Sequence, residues 1–325
     1  MNFLKDKYGR TVDYIRISLT DKCNLRCIYC MPSDGNSFFE KEENLNNDEI
    51  YKIVKESAKL GIRKVRLTGG EPLVRKDINE LIEKIYSIDG IEEIALTTNG
   101  MLLEERLEFL HSHGVKSLNI SLDTLNEEKF KYITRGGDIH KVFRSIEKGL
   151  KLGIKMKINT VVIEDINKNE IIDLINFTKD RDISLRFIEL MPIGEGKKFK
   201  GVSNEEIMKI IEDNNLETVI LERNKKDGPA KYIKIKDYKG KIGFISAMSN
   251  CFCEDCNRIR ITTDGMLKKC LNWKSDINLK KVIREGKEEK LLETIKNGIY
   301  NKPKMYLFNK QDTNEENRNM NEIGG

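Results

Sequence analysis

Residues 14–30 read YIRISLTDKCNLRCIYC, an apolar, strand-like stretch followed at once by a loop with three cysteines. Cys23, Cys27 and Cys30 lie within eight residues, and neither a fourth cysteine nor a histidine lies near them in the sequence. Structural zinc sites close with four protein ligands, and iron–sulfur cubanes normally take four thiolates. The loop therefore predicts a metal centre that keeps one position for a small molecule, with a structural zinc site as the alternative.

A unit of strand, polar turn and helix recurs from residue 14 to about residue 190. The predicted strands, separated by amphipathic segments that predict helices, cover residues 14–20, 64–70, 93–100, 117–123, 155–163 and 184–190. Strands that alternate with helices indicate a parallel sheet with the helices outside. Six units are too few for a closed eightfold barrel, so we predict an α/β fold built on an incomplete, TIM-like (β/α)6 barrel.

Residues that bear chemistry follow these strands directly. Besides the cysteine loop, they are the sequences TGGEP (68–72), TTNG (97–100), SLD (121–123) and ELMP (189–192). In barrels of this kind the catalytic groups gather at the carboxyl ends of the strands. We therefore expect one active site at that end of the barrel.

The composition limits the class of protein. Of 325 residues, 38% are hydrophobic and 34% charged, which is typical of a globular chain with ample core material. The N-terminal stretch lacks the apolar segment of a signal peptide, and no apolar run is long enough to cross a bilayer. We therefore expect a cytoplasmic protein without a membrane partner, whose seven cysteines are metal ligands or catalytic thiols and not a disulfide framework. The mild net charge of +5, spread over mixed lysines and glutamates, argues against a nucleic-acid partner.

A second cysteine group lies in the sequence CEDCNRIRITTDGMLKKC, which holds Cys253, Cys256 and Cys270. Arg258 and Arg260 alternate on a predicted strand, so both guanidiniums leave the same face. Guanidiniums pair bidentately with phosphate oxygens. We interpret this group as a second open-cornered cluster at a substrate site; the alternative is a zinc ribbon completed by Cys251.

These motifs together resemble a known family. The spacing of Cys23, Cys27 and Cys30 after the first strand resembles that of the radical S-adenosylmethionine superfamily. The second cysteine group with its Arg-x-Arg pair, the sequence DGPA at 227–230 and the terminal Gly324-Gly325 resemble the GTP 3′,8-cyclase (MoaA) family of molybdenum cofactor biosynthesis. The resemblance runs nearly from end to end of the chain.

The resemblance implies an activity and its cofactors. Two [4Fe–4S] clusters would be held by the two cysteine groups, and the first would bind S-adenosylmethionine. A 5′-deoxyadenosyl radical would remove H3′ of GTP, and C3′ would then bond to C8 of the purine. The product would be (8S)-3′,8-cyclo-7,8-dihydroguanosine 5′-triphosphate.

The resemblance also assigns roles by position. The contacts to S-adenosylmethionine would come from Tyr29, Gly70, Ser121 and Met191. The contacts to GTP would come from Arg16, Arg66, Thr97, Lys157, Arg258, Ile259 and Arg260, of which Arg16, Arg258 and Arg260 would be catalytic. The diglycine tail, Gly324 and Gly325, would reach into the active site.

Domain bounds and partners complete the expectations. We expect an N-terminal extension (1–13), the barrel core (14–200), a C-terminal α+β region with the second cluster (201–300) and a tail (301–325). The family implies a homodimer, an electron donor such as flavodoxin or ferredoxin, and a cyclic pyranopterin monophosphate synthase that takes the product.

The sequence departs from the family pattern at a few positions and leaves two other functions open. Asn250 and Cys251 replace frequent histidines, and Tyr306 replaces another. The alternatives are a different radical enzyme with an auxiliary cluster, such as a peptide-modifying enzyme, and a zinc-stabilised module that binds nucleic acid. More C-terminal cysteines would favour the former, and a clustered basic face with stacking aromatics the latter.

Overall fold

The structure is a computed structural model that describes residues 4–34, 44–222, 228–250, 252–305 and 318–323. Five positions singled out from the sequence lie outside the described residues: Asp227, Cys251, Tyr306, Gly324 and Gly325. Among the described residues, every helix is too short or too polar to cross a bilayer.

One mixed sheet contains all the described strands. In chain order these are β1 (Tyr14–Ser18), β2 (Lys64–Thr68), β3 (Glu93–Thr98), β4 (Val115–Ser121), β5 (Lys155–Val161), β6 (Ile183–Ile188), β7 (Thr218–Ile220), β8 (Lys231–Ile235), β9 (Lys241–Ile245), β10 (Arg258–Ile261), β11 (Met266–Lys268) and β12 (Ile277–Asn278). Their order across the sheet is β12-β11-β10-β1-β2-β3-β4-β5-β6-β9-β8-β7.

Helices follow most of the strands. They are α1 (Asn47–Lys59), α2 (Ile78–Tyr86), α3 (Leu107–Ser112), α4 (Glu127–Thr134), α5 (Ile139–Lys151), α6 (Ile171–Asn176), α7 (Asn204–Asp213), α8 (Leu279–Arg284), α9 (Leu291–Tyr300) and α10 (Met320–Ile323). Single 3₁₀ turns occupy Pro72–Val74, Glu104–Arg106, Lys168–Glu170, Gly194–Lys198 and Glu288–Lys290. Local sequence determines where α1 begins, because Asn46 and Glu49 form a reciprocal capping box at its start.

The predicted parallel core is confirmed and is wider than predicted. β1 to β6 are neighbours in sequence order and pair in parallel. The C-terminal region adds a parallel strand at each side, because β10 pairs with β1 and β9 pairs with β6. The sheet remains open, with β12 and β7 at its edges. The fold is thus an incomplete α/β barrel, as predicted, whose C-terminal strands continue the same sheet.

Strand alternation separates the core from the interior of the barrel. In β1, Ile15 and Ile17 are completely buried, whereas Tyr14 and Arg16 line the central cavity. Successive side chains of a strand point to opposite faces. The apolar faces of β1 to β6 therefore pack in one continuous hydrophobic core with the helices, and each fully buried aliphatic side chain contributes about 1.5–3 kcal/mol. The opposite faces are left for polar groups.

The connection from β9 to β10 crosses from one side of the parallel ladder to the other. This crossover, residues 246–257, carries Cys253 and Cys256. The Glu189 carboxylate holds its first part, accepting hydrogen bonds from Ser249 Oγ (2.6 Å), Ser249 N (2.9 Å) and Met248 N (2.8 Å). Burial alone would raise the pKa of Glu189, but these donors outweigh it and lower the pKa.

The register of β10 on β1 puts the two cysteine groups at opposite ends of the barrel. Arg258 pairs with Tyr14, the first residue of β1. Cys256 therefore lies at the amino end of β1, whereas Cys23 follows its carboxyl end. The inner faces of the strands lie between the two groups.

Replacement of Glu189 by glutamine tests the crossover. Glutamine removes the charge and replaces one of the two acceptor oxygens by an NH₂ group, which cannot accept from the backbone N–H groups. We therefore expect the free energy of unfolding in urea to fall by about 2–3 kcal/mol. Hydrogen exchange at residues 246–257 should also accelerate. Glu217→Gln is the control, since its ion pair with Lys236 is exposed, and we expect a change within about 0.5 kcal/mol. Equal effects in the two variants would contradict this role for Glu189.

Candidate active site

A cavity of about 1140 Å³ occupies the interior of the barrel. Its wall runs from the first cysteine loop, with Cys23, Cys27 and Cys30, to Asn257 and Leu271, which flank the second group. Of the residues that the sequence assigns to S-adenosylmethionine and GTP, those on this wall are Arg16, Tyr29, Arg66, Gly70, Thr97, Ser121, Lys157, Met191, Arg258 and Arg260. Folding thus brings residues from seven strands and their loops to one chamber.

Ile259 lies elsewhere. It is completely buried, and it alternates with Arg258 and Arg260 along β10, which puts its side chain on the core face of the strand. Only its backbone is therefore available to the cavity.

The first cysteine loop presents three thiols that burial makes poor acids when no metal is bound. Burial raises the pKa of Cys23 to about 11 and that of Cys30 to about 12, and raises the pKa of Cys27 as well. Mutual repulsion of the thiolates adds to the shifts of Cys27 and Cys30. A coordinated metal deprotonates a thiol outright, and three thiolates on one loop are the donor set of an iron–sulfur cluster with one open iron. No three His, Cys, Asp or Glu side chains among the described residues are spaced to hold a single ion.

Two glycines bring β2 against this loop. Gly70 N donates to Thr20 O (2.7 Å), and Glu71 N donates to Lys22 O (2.8 Å). A Cβ on Gly70 would lie 2.4 Å from Lys22 O, and one on Gly69, whose φ is +143°, would lie 2.4 Å from Thr20 O. The TGGEP motif therefore requires glycine because its backbone packs against the residues that lead into Cys23.

Glu71, the last polar residue of that motif, joins the loops after β2 and β3. Its carboxylate accepts from Leu73 N (3.0 Å), Thr98 Oγ1 (2.8 Å) and Asn99 N (2.7 Å). Burial raises the pKa of Glu71 to about 7 in spite of these donors. Asn99 in turn donates to Asn24 Oδ1 (2.8 Å) in the cysteine loop. The strand ends are therefore tied together by polar contacts.

Tyr29 is fixed by a hydrogen bond to Asp123, which follows β4. Its hydroxyl donates to Asp123 Oδ2 (2.6 Å), and Val161 N donates to Asp123 Oδ1 (2.8 Å). Burial raises the pKa of Asp123 to about 6. These contacts fix the aromatic residue that stands between Cys27 and Cys30.

Basic side chains dominate the middle of the cavity. Arg66 donates to Tyr14 Oη (2.7 Å) and Leu96 O (2.9 Å), and its Nη1 lies 3.4 Å from Thr97 Oγ1. The wall holds further cations that the sequence did not predict, among them Lys64 and Arg186. Lys64 pairs with Glu93 (2.6 Å), and Arg186 donates to Asn159 Oδ1.

Crowding and burial make this positive charge unfavourable. Burial, aided by Arg260, lowers the pKa of Arg16 well below its ordinary value. Burial, aided by Arg186, lowers the pKa of Lys157 to about 7. Tyr14 responds in the opposite sense: burial alone would raise its pKa, but Arg66 and the other cations bring it down to about 7. A polyanionic ligand would relieve this repulsion.

The second cysteine group lies at the other end, where Cys256 N donates to Cys253 O (3.2 Å). Burial alone would raise the pKa of Cys256, but Lys302 and Arg258 outweigh it and lower the pKa to about 6. Arg10 Nη1 donates to Cys253 O (2.8 Å), and the Arg258 guanidinium lies 5.1 Å from the centre of the Phe252 ring. This donor set also suits an iron–sulfur cluster, in surroundings that favour the thiolate of Cys256.

The C-terminal segment returns to the first cysteine loop. Asn321 Nδ2 donates to Asp21 O (3.0 Å), and Asn321 N–H donates to the Cys30 thiol. Met320 lines the cavity, and Ile323 is buried. The described tail therefore ends beside the first group, one residue before Gly324.

Sequence reasoning missed some of these residues for different reasons. Lys64 and Arg186 lie on predicted strands, and Lys64 is two positions from Arg66, so strand alternation could have found it. Arg10 and Lys302 carried no signal, because they meet the second cysteine group only through the tertiary fold.

Comparison with known proteins decides between the remaining interpretations. The family model described as the radical SAM superfamily matches residues 17–178, and the one described as Molybdenum Cofactor Synthesis C matches residues 183–308. The chain is 57% identical to the GTP 3′,8-cyclase of Clostridium perfringens (strain 13), over 99% of this chain and all of that one. The chain belongs to the GTP 3′,8-cyclase family.

Other members of the GTP 3′,8-cyclase family agree. The protein of that name from Clostridium botulinum (strain Hall) is 48% identical over 98% of this chain and 99% of its own. Among solved structures, Streptococcus suis SuiB bound to its precursor peptide SuiA has a TM-score of 0.58 at 17% identity, covering 94% of this chain and 77% of that one. At that identity the likeness shows the fold alone. The comparisons therefore favour the cyclase family over both alternatives left open by the sequence.

Replacement of Gly70 by alanine tests the close approach of β2 to the first cysteine loop. The added Cβ would displace Asp21 and Lys22, so we expect a loss of about 1–3 kcal/mol in the free energy of unfolding. Iron in the reconstituted protein should fall from about eight towards about four per chain. Gly286→Ala is the control: its φ is +70° and nothing lies within 4 Å of the added Cβ, so it should cost about 1–2 kcal/mol and leave the iron content unchanged. Full iron in both variants would refute this role.

Proposed function

We propose that this protein converts GTP into (8S)-3′,8-cyclo-7,8-dihydroguanosine 5′-triphosphate, the first step of molybdenum cofactor biosynthesis. The observation that carries the proposal is a deeply basic chamber between two three-cysteine groups, in a chain 57% identical over 99% of its length to a GTP 3′,8-cyclase.

The residues fit two [4Fe–4S] clusters and S-adenosylmethionine. Cys23, Cys27 and Cys30 would hold the first cluster, and Cys253, Cys256 and Cys270 the second. When bound, the first cluster and S-adenosylmethionine supply the 5′-deoxyadenosyl radical that takes H3′ from GTP. Tyr29, Gly70, Ser121 and Met191 are proposed to bind S-adenosylmethionine, since they line the cavity at or near the carboxyl ends of the strands.

The protein's own contribution in the middle of the chamber is to bind and orient GTP. We assign the triphosphate to Arg66 of β2 and Lys157 of β5, because a bound polyanion would offset the repulsion and burial that lower the pKa of Lys157. Thr97 would add a hydroxyl beside Arg66. Arg16, Arg258 and Arg260 lie nearer the second group through the pairing of β1 with β10. They would fix the ribose and base so that C3′ lies close to C8.

Orientation and exclusion of water matter here because a carbon radical reacts with whatever lies near it. The chamber wall is protein on several sides, and the described tail covers the region beside Cys30. Gly324 and Gly325, which lie outside the described residues, are proposed to continue from Ile323 into the chamber. Two residues without side chains would extend the backbone there while leaving room for the nucleotide.

The partners follow from the chemistry. The reductive cleavage of S-adenosylmethionine needs an electron, so we propose a donor such as flavodoxin or ferredoxin. The cyclised nucleotide is an intermediate, so we propose a cyclic pyranopterin monophosphate synthase as its acceptor. A homodimer in the cytoplasm remains our proposal for the assembly and its place.

The decisive experiment is anaerobic reconstitution with iron and sulfide, followed by S-adenosylmethionine, reductant and GTP. We expect GTP to accelerate the formation of 5′-deoxyadenosine and a cyclised nucleotide to appear. Cys27→Ala should abolish the cleavage of S-adenosylmethionine. Arg258→Ala should keep about eight irons per chain but weaken the use of GTP.

Two outcomes would count against the proposal. If 5′-deoxyadenosine forms no faster with GTP than without it, and no cyclised nucleotide appears, the activity is wrong. If Arg258→Ala loses iron, then Arg258 supports the cluster and the assignment to GTP is wrong.

The low pKa of Lys157 predicts proton uptake on GTP binding. With a pKa of about 7 in the free chamber, Lys157 is mostly neutral above that pH, and a bound triphosphate raises its pKa by favouring the ammonium. Binding should therefore take up protons above about pH 7, and GTP affinity should fall with rising pH by up to tenfold per unit for each proton. Calorimetry in buffers of different ionisation enthalpy, without S-adenosylmethionine, measures this uptake.

Two matched variants test whether the proton uptake belongs to Lys157. Lys157→Met should remove about one proton of it, whereas Lys151→Met, on the exposed surface of α5, should remove none. An unchanged uptake in Lys157→Met would refute the assignment of Lys157 to the triphosphate site.

A further inference from the structure

Lys302, just after α9, is a lysine buried at the back of the second cysteine group. Its side chain belongs to the largest fully buried ones of the described residues, at 1% relative exposure. Lysine is almost never fully buried unless it is paired. The groups around Lys302 therefore indicate the role of its charge.

Three acceptors surround the amino group. Lys302 Nζ donates to Arg258 O (2.5 Å) and Lys269 O (2.7 Å), and it lies 3.8 Å from Cys256 Sγ. An ammonium has three N–H donors and no acceptor, whereas a neutral amine would turn a lone pair towards one of these groups. The three described groups around the amino group are all acceptors, and this arrangement suits the charged form.

The two carbonyls belong to the segments that carry the cysteines. Arg258 lies two residues after Cys256, and Lys269 lies directly before Cys270. One ammonium therefore joins the start of β10 to the segment after β11, and holds these two cysteines in fixed relation.

Within the part of the chain that the structure describes, the charge has no carboxylate partner. No Asp or Glu among the described residues lies within 4.0 Å of Lys302 Nζ as an ion pair. Removing an ammonium from water costs several kcal/mol unless an anion compensates it. Burial lowers the pKa of Lys302, and the thiolates of Cys256 and Cys270 oppose that shift by favouring the ammonium. The cation and the thiolates thus stabilise each other.

We propose that Lys302 is a positioning residue of the second cluster that holds its cysteine segments and raises its reduction potential. This inference rests on the proposed function, because it takes the second group to hold a [4Fe–4S] cluster. Hydrogen bonds to cluster sulfurs and nearby net charge are among the factors that set such potentials. A reduced cluster carries one more negative charge than the oxidised one, so an adjacent ammonium stabilises the reduced state and removal of the ammonium lowers the potential.

The test uses the full chain with Cys23, Cys27 and Cys30 replaced by serine, so that only the second cluster is read. After anaerobic reconstitution, iron is counted and the midpoint potential is measured by redox titration followed by electron paramagnetic resonance. Lys302→Met keeps an unbranched side chain, shorter by one heavy atom, and removes the charge. We expect it to lower the ratio of reduced to oxidised cluster at least tenfold at a given potential, which is about 59 mV for a one-electron couple.

Two control variants separate charge from packing. Lys296→Met removes the same charge from the half-exposed surface of α9 and should leave the potential unchanged. Lys302→Arg keeps the charge and should restore most of the potential. If Lys302→Met loses iron and Lys302→Arg regains it, the effect also belongs to the charge and supports the proposal.

Three outcomes are adverse. An unshifted potential in Lys302→Met, or equal shifts in Lys302→Met and Lys296→Met, would overturn the role of Lys302. Iron loss in both Lys302 variants would also overturn it, because packing and not charge would then be required. If the parent chain with the three serines takes up no iron, the second cluster of the proposed function fails instead, so the two failures are distinguishable.

Discussion

The parallel pairing of β10 with β1 is the constraint on which the rest of the molecule depends. Arg258 opposite Tyr14 and Arg260 opposite Arg16 fix the C-terminal region against the first strand. This register carries Cys256 to the amino end of β1, while Cys23 follows the carboxyl end. Two cysteine-bearing segments far apart in the chain therefore lie at opposite ends of the same chamber.

Charge gives that geometry its chemical meaning. Thiols gather at each end, and cations fill the space between, where burial and mutual repulsion lower the pKa of Arg16, Arg260 and Lys157. The two ends differ as well. At the first group burial opposes ionisation of the thiols, whereas at the second Lys302 and Arg258 favour it in Cys256. The thiols of the first group thus depend on a bound metal to become thiolates, whereas at the second group the protein itself favours the thiolate of Cys256.

The order of the strands and the role of the motifs follow from local patterns. Alternation in β1 separates Ile15 and Ile17 from Tyr14 and Arg16, so both the core and the chamber wall can be recognised in a single strand. The two glycines of TGGEP directly follow a predicted strand, and the structure places their backbone against Thr20 and Lys22. Patterns of this kind involve residues close together in the chain, so they can be recognised in the sequence without knowledge of the fold.

Contacts between segments that are distant in the chain cannot be predicted from the sequence in this way. Nothing near Lys302 in the sequence KNGIYNKPKMY indicates that it is buried, because its partners lie 33 to 46 residues away. The sides on which β9 and β10 join the sheet are likewise set by long-range pairing, which depends on the packing of the whole barrel.

The sequence by itself determined the fold class, the parallel core, the spacing of the two cysteine groups and the arginine pair, because strand alternation and residue spacing are local. Only the tertiary structure decided that the two cysteine groups oppose each other across one basic chamber, and that Lys302 lies behind the second. The physical reason is that a buried charge is stable only where the folded chain brings its counter-charge from elsewhere.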